Sequence, residues 1–362
     1  MKKLKKLTAL LTAIGMVAAM SACGSDAASS VTTASTGAAD SAPAATEAAQ
    51  AAEAPAEAGS AAETAAAGDE TYLIGICQLV QHEALDAATQ GFKDALTEKL
   101  GDKVKFDEQN ASGDSANCST IVNGFLSENV DLILANATAP LQAAAAATSD
   151  IPVLGTSVTD YATALEISDW TGTVGTNVSG TSDLAPLDQQ AAMIKELFPD
   201  AKKVGLLYCS AEPNSVYQCD TIEGYLKDEG YEIERYAFTD TNDVTSVTQT
   251  ACDNSDVIYI PTDNTAASNT EAIANVVLPA GVPAVVGEEG ICKGCGVATL
   301  SISYYDLGYA TGEMAYKILV EGQDVSTTAV ETAKTVTKKY NAANCEALNI
   351  TIPDDYEAIS EE

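Results

Sequence analysis

YLIGICQ at residues 72–78 and KKVGLLYCS at residues 202–210 are one kind of segment met twice: a short apolar run that stops at small or polar residues. Each is too short for a globular helix and too continuously apolar for a strand with one wet face, so each reads as a strand buried on both sides. Their downstream neighbours are alike as well. After the first, Leu85, Ala88, Phe92 and Leu96 recur at helical spacing; after the second, Val216, Cys219, Ile222 and Leu226 do the same. KVKFDEQ (103–109) is then matched by YEIERYAF (231–238), each running into a polar turn, NASGD (110–114) and TDTND (239–243). NVDLILANAT (129–138) is matched by NSDVIYIPTD (254–263), and IPVLGTS (151–157) by VPAVVGE (282–288). Strands alternating with helices require parallel pairing and right-handed crossovers. The expected fold class is therefore α/β, two doubly wound parallel-sheet lobes joined by a hinge, and residues 71–362 are long enough for two such domains.

In open parallel sheets, ligands bind beyond the carboxyl ends of the strands. Those ends are dense in small polar residues here. The first half offers Gln78, Gln81, His82, Asn110, Ser112, Asn136, Thr138, Thr156, Ser157 and Asp160; the second offers Ser210, Glu212, Asn214, Ser215, Thr262, Asp263, Asn264, Glu288 and Glu289. Two facing polar rims make a cleft suited to a small molecule. Loops are polar in any protein, so each single residue carries this reading only in company with the others.

The chain of 362 residues has 52 acidic side chains against 18 basic ones, a formal charge of −34, and a single arginine, Arg235. Such a surface repels phosphate backbones and anionic headgroups, which argues against nucleic-acid binding and polybasic membrane docking. With His82 as the only histidine, a multi-histidine metal site cannot be assembled, and no metal or cofactor is expected. There is no G-x-S-x-G elbow, HExxH, Walker A or G-x-G-x-x-G after the first strand, so no enzyme is expected either.

Residues 1–22 place four lysines before an apolar run that ends in small residues, the pattern of an export signal peptide. MSAC (20–23) resembles a bacterial lipobox, which implies lipidation of Cys23. Between residues 24 and 70, 20 of the 47 positions are alanine and no apolar side chain exceeds that of Val31, so this stretch reads as a disordered tether, with no core to build. Loss of the four signal lysines takes the charge from −34 to −38, so the acidity belongs to the exported part.

GICQLVQHEALDAATQGFKDAL (75–96), PTDNTAAS (261–268), VVGEEGICKG (285–294) and SISYYDLGYATGEMAYKIL (301–319) together resemble the substrate-binding lipoproteins of ABC importers, in the group that includes tryptophan- and tyrosine-binding proteins. The resemblance runs over about 71–355; it departs from the family pattern at Glu83, and at 165–183, where Trp170 stands in place of a glycine-rich run. It implies the type I periplasmic binding protein fold, with the first lobe at 71–180 plus 296–322 and the second at 181–295 plus 323–360. It further implies a monomer that captures a small ligand, most simply an aromatic amino acid, for ABC permease and ATPase subunits, held at the membrane through its lipid only. The alternatives are a sugar or nucleoside receptor of the same fold, or a surface adhesion or sensing lipoprotein.

An amino acid needs donors for its carboxylate and an acceptor for its ammonium. With Arg235 inside a strand pattern, the carboxylate is left to helix N-termini and hydroxyls near Asn136 to Thr138 and Thr156 to Ser157. Asp263, Glu288 and Glu289 are the expected ammonium partners, with helix capping the competing role for Asp263. The expected ligand set is completed by Gln78, Gln81, His82, Asp160, Ser182, Glu212, Asn214, Ser215, Thr262 and Asn264. Tyr304 and Tyr305 read as packing more readily than as cleft residues. The eight cysteines beyond Cys23 allow about 105 pairings, and CKGC (292–295) reads as a local disulfide or two free thiols rather than a redox centre.

Overall fold

The computed structural model describes residues 71–360. The signal, lipidation and tether readings for residues 1–70, Cys23 among them, lie outside the described residues. In chain order the strands are β1 (Tyr72–Gln78), β2 (Val104–Asn110), β3 (Leu132–Asn136), β4 (Val153–Val158), β5 (Val178–Ser182), β6 (Lys203–Cys209) and β7 (Glu232–Phe238). They continue with β8 (Val257–Ile260), β9 (Ala284–Val286), β10 (Ala298–Ser301), β11 (Glu331–Thr332), β12 (Thr337–Tyr340) and β13 (Glu357–Ala358). Two sheets result, in the orders β11-β5-β4-β3-β1-β2 and β13-β12-β10-β9-β8-β6-β7. All pairings are parallel except β10 with β12. The duplicated units thus fold as two α/β lobes. β1 and β3, and β6 and β8, are interior strands, each paired on both sides, and carry the apolar runs; β1 keeps Ile74, Ile76 and Cys77 fully covered because helices lie on both faces.

The lobes divide at other points than the expected ones. β5 belongs wholly to the first sheet, in register with β4 and β11, so the first crossover is 183–186 rather than 180–181. β10, placed in the first lobe by the sequence reading, pairs with β9 and β12 in the second, and the return begins at Ile302. Residues 323–332, expected in the second lobe, stay with the first through β11, and the third crossover is 333–336. The reason is that each crossover leaves the strand-helix period intact, so no change of pattern marks it.

The three crossovers meet at one small apolar cluster: Ala185 from the first, Ile302 from the second and Ala333 at the edge of the third pack with Ala84, Ala88, Tyr304 and Leu307. The helix Tyr304–Leu319 lies against the helix Glu83–Leu100 on the first lobe. A Cβ on Gly91 would collide with the Tyr305 carbonyl oxygen, and one on Gly308 with that of Ala88, so the close approach depends on glycine at both positions. The eight described cysteines are all free and buried, Cys292 and Cys295 of the CKGC segment included. Among the described residues no helix is long and apolar enough to cross a membrane.

Candidate functional site

The carboxyl ends of the two sheets face each other across a cleft whose inner part is lined by His82, Leu85, Ser157, Thr159 and Asp183 from the first lobe and by Asn214, Thr262, Asp263, Asn264, Ala267 and Glu288 from the second. Tyr304, just past the second crossover, closes its hinge end. The cleft is shut: the void left among these side chains has room for about one water. Polar contacts that span the lobes include two at the rim of the cleft. His82 Nε2 lies 3.2 Å from Asn264 Oδ1, and Lys293 Nζ lies 3.3 Å from Glu83. Outward, a recess between Leu79, Ser112 and Ala139 on one side and Glu212, Thr239 and Thr265 on the other continues the cleft.

The second rim is a closed network. Glu212 accepts from Asn214 Nδ2, from the backbone N–H and side chain of Asn264, and from the backbone N–H and hydroxyl of Thr265. Gln218 donates to the Thr262 carbonyl and accepts from the Thr262 N–H, while Asn214 donates to the same carbonyl and to Ser215. Asp263 accepts from the Ala266 N–H at 2.8 Å and from the Cys209 N–H at 2.6 Å, capping the turn Asn264–Ala267 and fastening it to β6. Glu288 accepts from Gly290 and Ile291 as the cap of the helix Glu289–Gly294. Capping is therefore the role of both acids, because strand-to-helix turns in a buried rim leave N–H groups that only a local carboxylate can reach. Burial pushes the carboxyl of Asp263 up and that of Glu288 up to about 7. Glu289 is turned away to an ion pair with Lys339 at 2.6 Å.

The first rim is less complete. Asn136 Nδ2 donates to the Leu85 carbonyl and to Thr89, and Gln78 bonds Thr89, Asp86 and the Val80 carbonyl, so both anchor the helix Glu83–Leu100 and neither lines the inner cavity. Thr156 accepts from Thr181, which also meets Thr311, beneath the helix Tyr304–Leu319. Ser182 donates to the Thr159 carbonyl, Asp160 caps a short turn through the Thr163 N–H, Thr138 is buried at a helix start and Gln81 is exposed. Of the expected set, the structure gathers His82, Ser157, Asn214, Thr262, Asp263, Asn264 and Glu288 at the inner cavity. His82 lies beside the cleft with its imidazole pushed below the ordinary range by burial, a neutral hydrogen-bonding ring.

Five cavity residues escaped the sequence reading as cleft residues: the apolar Leu85 and Ala267, and the polar Thr159, Asp183 and Tyr304. Asp183 is 4% exposed; its Oδ2 accepts from the Tyr304 hydroxyl at 2.9 Å, and its Oδ1 has no hydrogen-bond partner. Ser157, at φ 54°, likewise keeps a buried hydroxyl without a partner. Burial raises the Asp183 carboxyl, against the hydroxyls of Tyr304 and Thr159 that favour its ionised form. No local motif announces Asp183; the crossover that carries it is the only signal, and that is invisible in a single sequence. Trp170 lies over the Tyr161 ring, 6.4 Å between centroids, away from the cavity.

A family model described as ABC transporter substrate binding protein matches residues 73–362. The chain is 38% identical over 262 residues to a tyrosine-binding protein of Clostridioides difficile, covering 72% of this chain and 75% of that one. A solved structure from Streptococcus pneumonia, described as an ABC domain in complex with L-Trp, is 32% identical with a TM-score of 0.77, covering 80% of this chain and all of the other. A ligand-free, open substrate-binding protein with adhesive properties from Clostridium difficile is 35% identical over 81% of this chain and all of the other, with a TM-score of 0.62. The shut conformation described above is thus nearer to the L-Trp complex than to the open structure, even though the open one is slightly closer in sequence.

Proposed function

The chain belongs to the ABC transporter substrate-binding proteins, non-enzymatic solute receptors of the type I periplasmic binding protein fold, and on that premise we propose that it captures an aromatic amino acid by closing its two lobes and hands it to the permease and ATPase of an importer. Because the shut cleft leaves room for about one water, an amino acid enters only when the lobes part about the three crossovers, and contacts to both rims favour the shut state. The observation that supports this reading most is the combination of relatives named for tyrosine and L-Trp with a cleft that offers hydroxyls, amides and one incompletely bonded carboxylate, and no lysine or arginine. Leu85, Ala267 and Tyr304 supply apolar surface beside the polar groups. The signal-like residues 1–22 and Cys23 support an extracytoplasmic receptor anchored by lipid.

Calorimetry and thermal shift against amino acids, sugars and nucleosides test this. Binding of tyrosine, tryptophan or phenylalanine is expected; binding of a sugar or nucleoside with none of these amino acids refutes it. The adhesive relative gives a second reading, a surface adhesin. Uptake of the labelled amino acid that persists unchanged in cells lacking the protein would favour that reading over transport.

A further inference from the structure

We propose that Asp183 is the residue that reads the positive pole of the ligand, and that Tyr304 is a positioning residue whose hydroxyl aims this carboxylate and ties it to the hinge. This deepens the amino-acid reading above and rests on it. Three buried carboxyl groups line the inner cavity, and only one is available. Both oxygens of Asp263 and both of Glu288 are taken by backbone N–H groups of the second lobe, whereas Asp183 keeps Oδ1 unbonded. No lysine or arginine lines the cavity, and His82 is held neutral by burial. An ionised carboxylate in such a place lacks a counter-charge, which is costly until a cation arrives. A ligand ammonium supplies that charge, and a ligand without one leaves the acid unpaired, the situation in which polar sites discriminate most strongly.

The position of the acid gives it a second consequence. Asp183 is the first residue after β5, on the first crossover, and Tyr304 is the first residue of the helix that comes after the second crossover. Their 2.9 Å hydrogen bond therefore joins the first crossover to the helix that leaves the second, at the place where the ligand's charge is received. The groups that face Asp183 are the phenols of Tyr304 and Tyr161, the hydroxyl of Thr159 and, across the cavity, Glu288 with His82 farther along. None of them is a cation, so ionisation of Asp183 is governed by burial against the two hydroxyls.

The test is calorimetry on the full chain with L-tyrosine, tyramine and 3-(4-hydroxyphenyl)propionate, which lack nothing, the carboxylate and the ammonium respectively. The deaminated acid is expected to bind at least about a hundredfold more weakly than tyrosine, and tyramine to retain more of the affinity. Asp183→Asn, which keeps an acceptor for Tyr304, is expected to weaken tyrosine by about thirtyfold or more, with thermal unfolding as the check that it folds. Tyr304→Phe is expected to weaken tyrosine roughly tenfold and to move the loss of affinity on acidification to higher pH, since a hydroxyl that favours ionised Asp183 is gone. A Tyr304 that matters only for packing lowers affinity equally at every pH. Equal binding of tyrosine and the deaminated acid, or unchanged affinity in Asp183→Asn, overturns the proposal; the analogue series decides it on the unaltered protein should the variant not fold. If the chain binds an aliphatic amino acid instead, the aromatic reading fails and the same variant tested on that amino acid decides the role of Asp183. A sole ligand with no ammonium refutes both.

Discussion

On the second lobe, every rim carboxylate is bonded within its own lobe: Glu212 to Asn214, Asn264 and Thr265, Asp263 to Ala266 and Cys209, Glu288 to Gly290 and Ile291. On the first lobe, Asn136 Oδ1, Ser157 Oγ and Asp183 Oδ1 are buried without partners, and Ser112, Ala137 and Ser157 hold positive φ angles at the strand ends. The two rims come from matching sequence units, yet one is finished and the other is not. The second rim is a preassembled wall whose polar groups stabilise the fold. At the cavity itself the unmet hydrogen bonds belong to Ser157 and Asp183 of the first rim, where a ligand can supply what the fold does not; Asn136, and Tyr236, Ser255 and Thr299 of the second lobe, are also unpartnered but do not line it.

This contrast can be broken by removing one group from each rim. Asp263→Ala takes the acceptor from two buried N–H groups, so a loss of about 3 kcal/mol in unfolding free energy by urea titration is expected; a loss below about 0.5 kcal/mol would mean that the second rim is not held by its carboxylates. Next in size is the response to pH. The buried carboxyls of Asp263, Glu288 and Asp183 sit above their ordinary values, so the native state holds their protons more tightly than the unfolded chain does. Their contribution is fully present below about pH 4 and is lost as pH rises through about 7 for Glu288. The melting temperature of the ligand-free protein should fall by several degrees between about pH 5 and about pH 8, and Glu288→Gln should flatten that slope; a melting temperature that rises over this interval contradicts the assignment.

On the unfinished rim, Ser157→Ala removes a hydroxyl that bonds nothing in the protein. Its expected effect on unfolding is within about 0.5 kcal/mol of zero, with ligand affinity lowered roughly fivefold. If stability falls and affinity does not, the serine belongs to the fold and the contrast between rims is lost at that position. The smallest effect is expected at the edge. Glu83→Gln cuts the exposed cross-lobe pair with Lys293 and should change affinity by less than about twofold, a difference that vanishes in high salt.

The strands were legible because burial on both faces writes itself as continuous apolar runs: YLIGICQ is β1 to the residue, and KKVGLLYCS brackets β6. The rims were legible as regions for the same reason, since polar residues begin where a buried strand must end. Individual roles were not. Asp263 and Glu288 carry the composition of ligand partners and act as caps, a choice made by which backbone N–H groups lie within hydrogen-bond reach. Glu289 stands next to Glu288 and points to Lys339 instead of the cleft. Asp183 comes directly after NVSGTS with no motif around it, and it becomes a cavity residue because β5 stops there and the chain crosses between lobes.

By itself, the sequence determined the two α/β lobes, the excess of negative charge, the absence of an arginine suited to a ligand and the location of the cleft at the strand ends. These derive from composition and period, which are local. The tertiary structure alone decided where the chain changes lobe, which glycines let the helices Glu83–Leu100 and Tyr304–Leu319 touch, and which of three buried acids keeps an oxygen free. Those depend on residues far apart in the chain, such as Asp183 and Tyr304, meeting at one point, and no local pattern encodes a meeting.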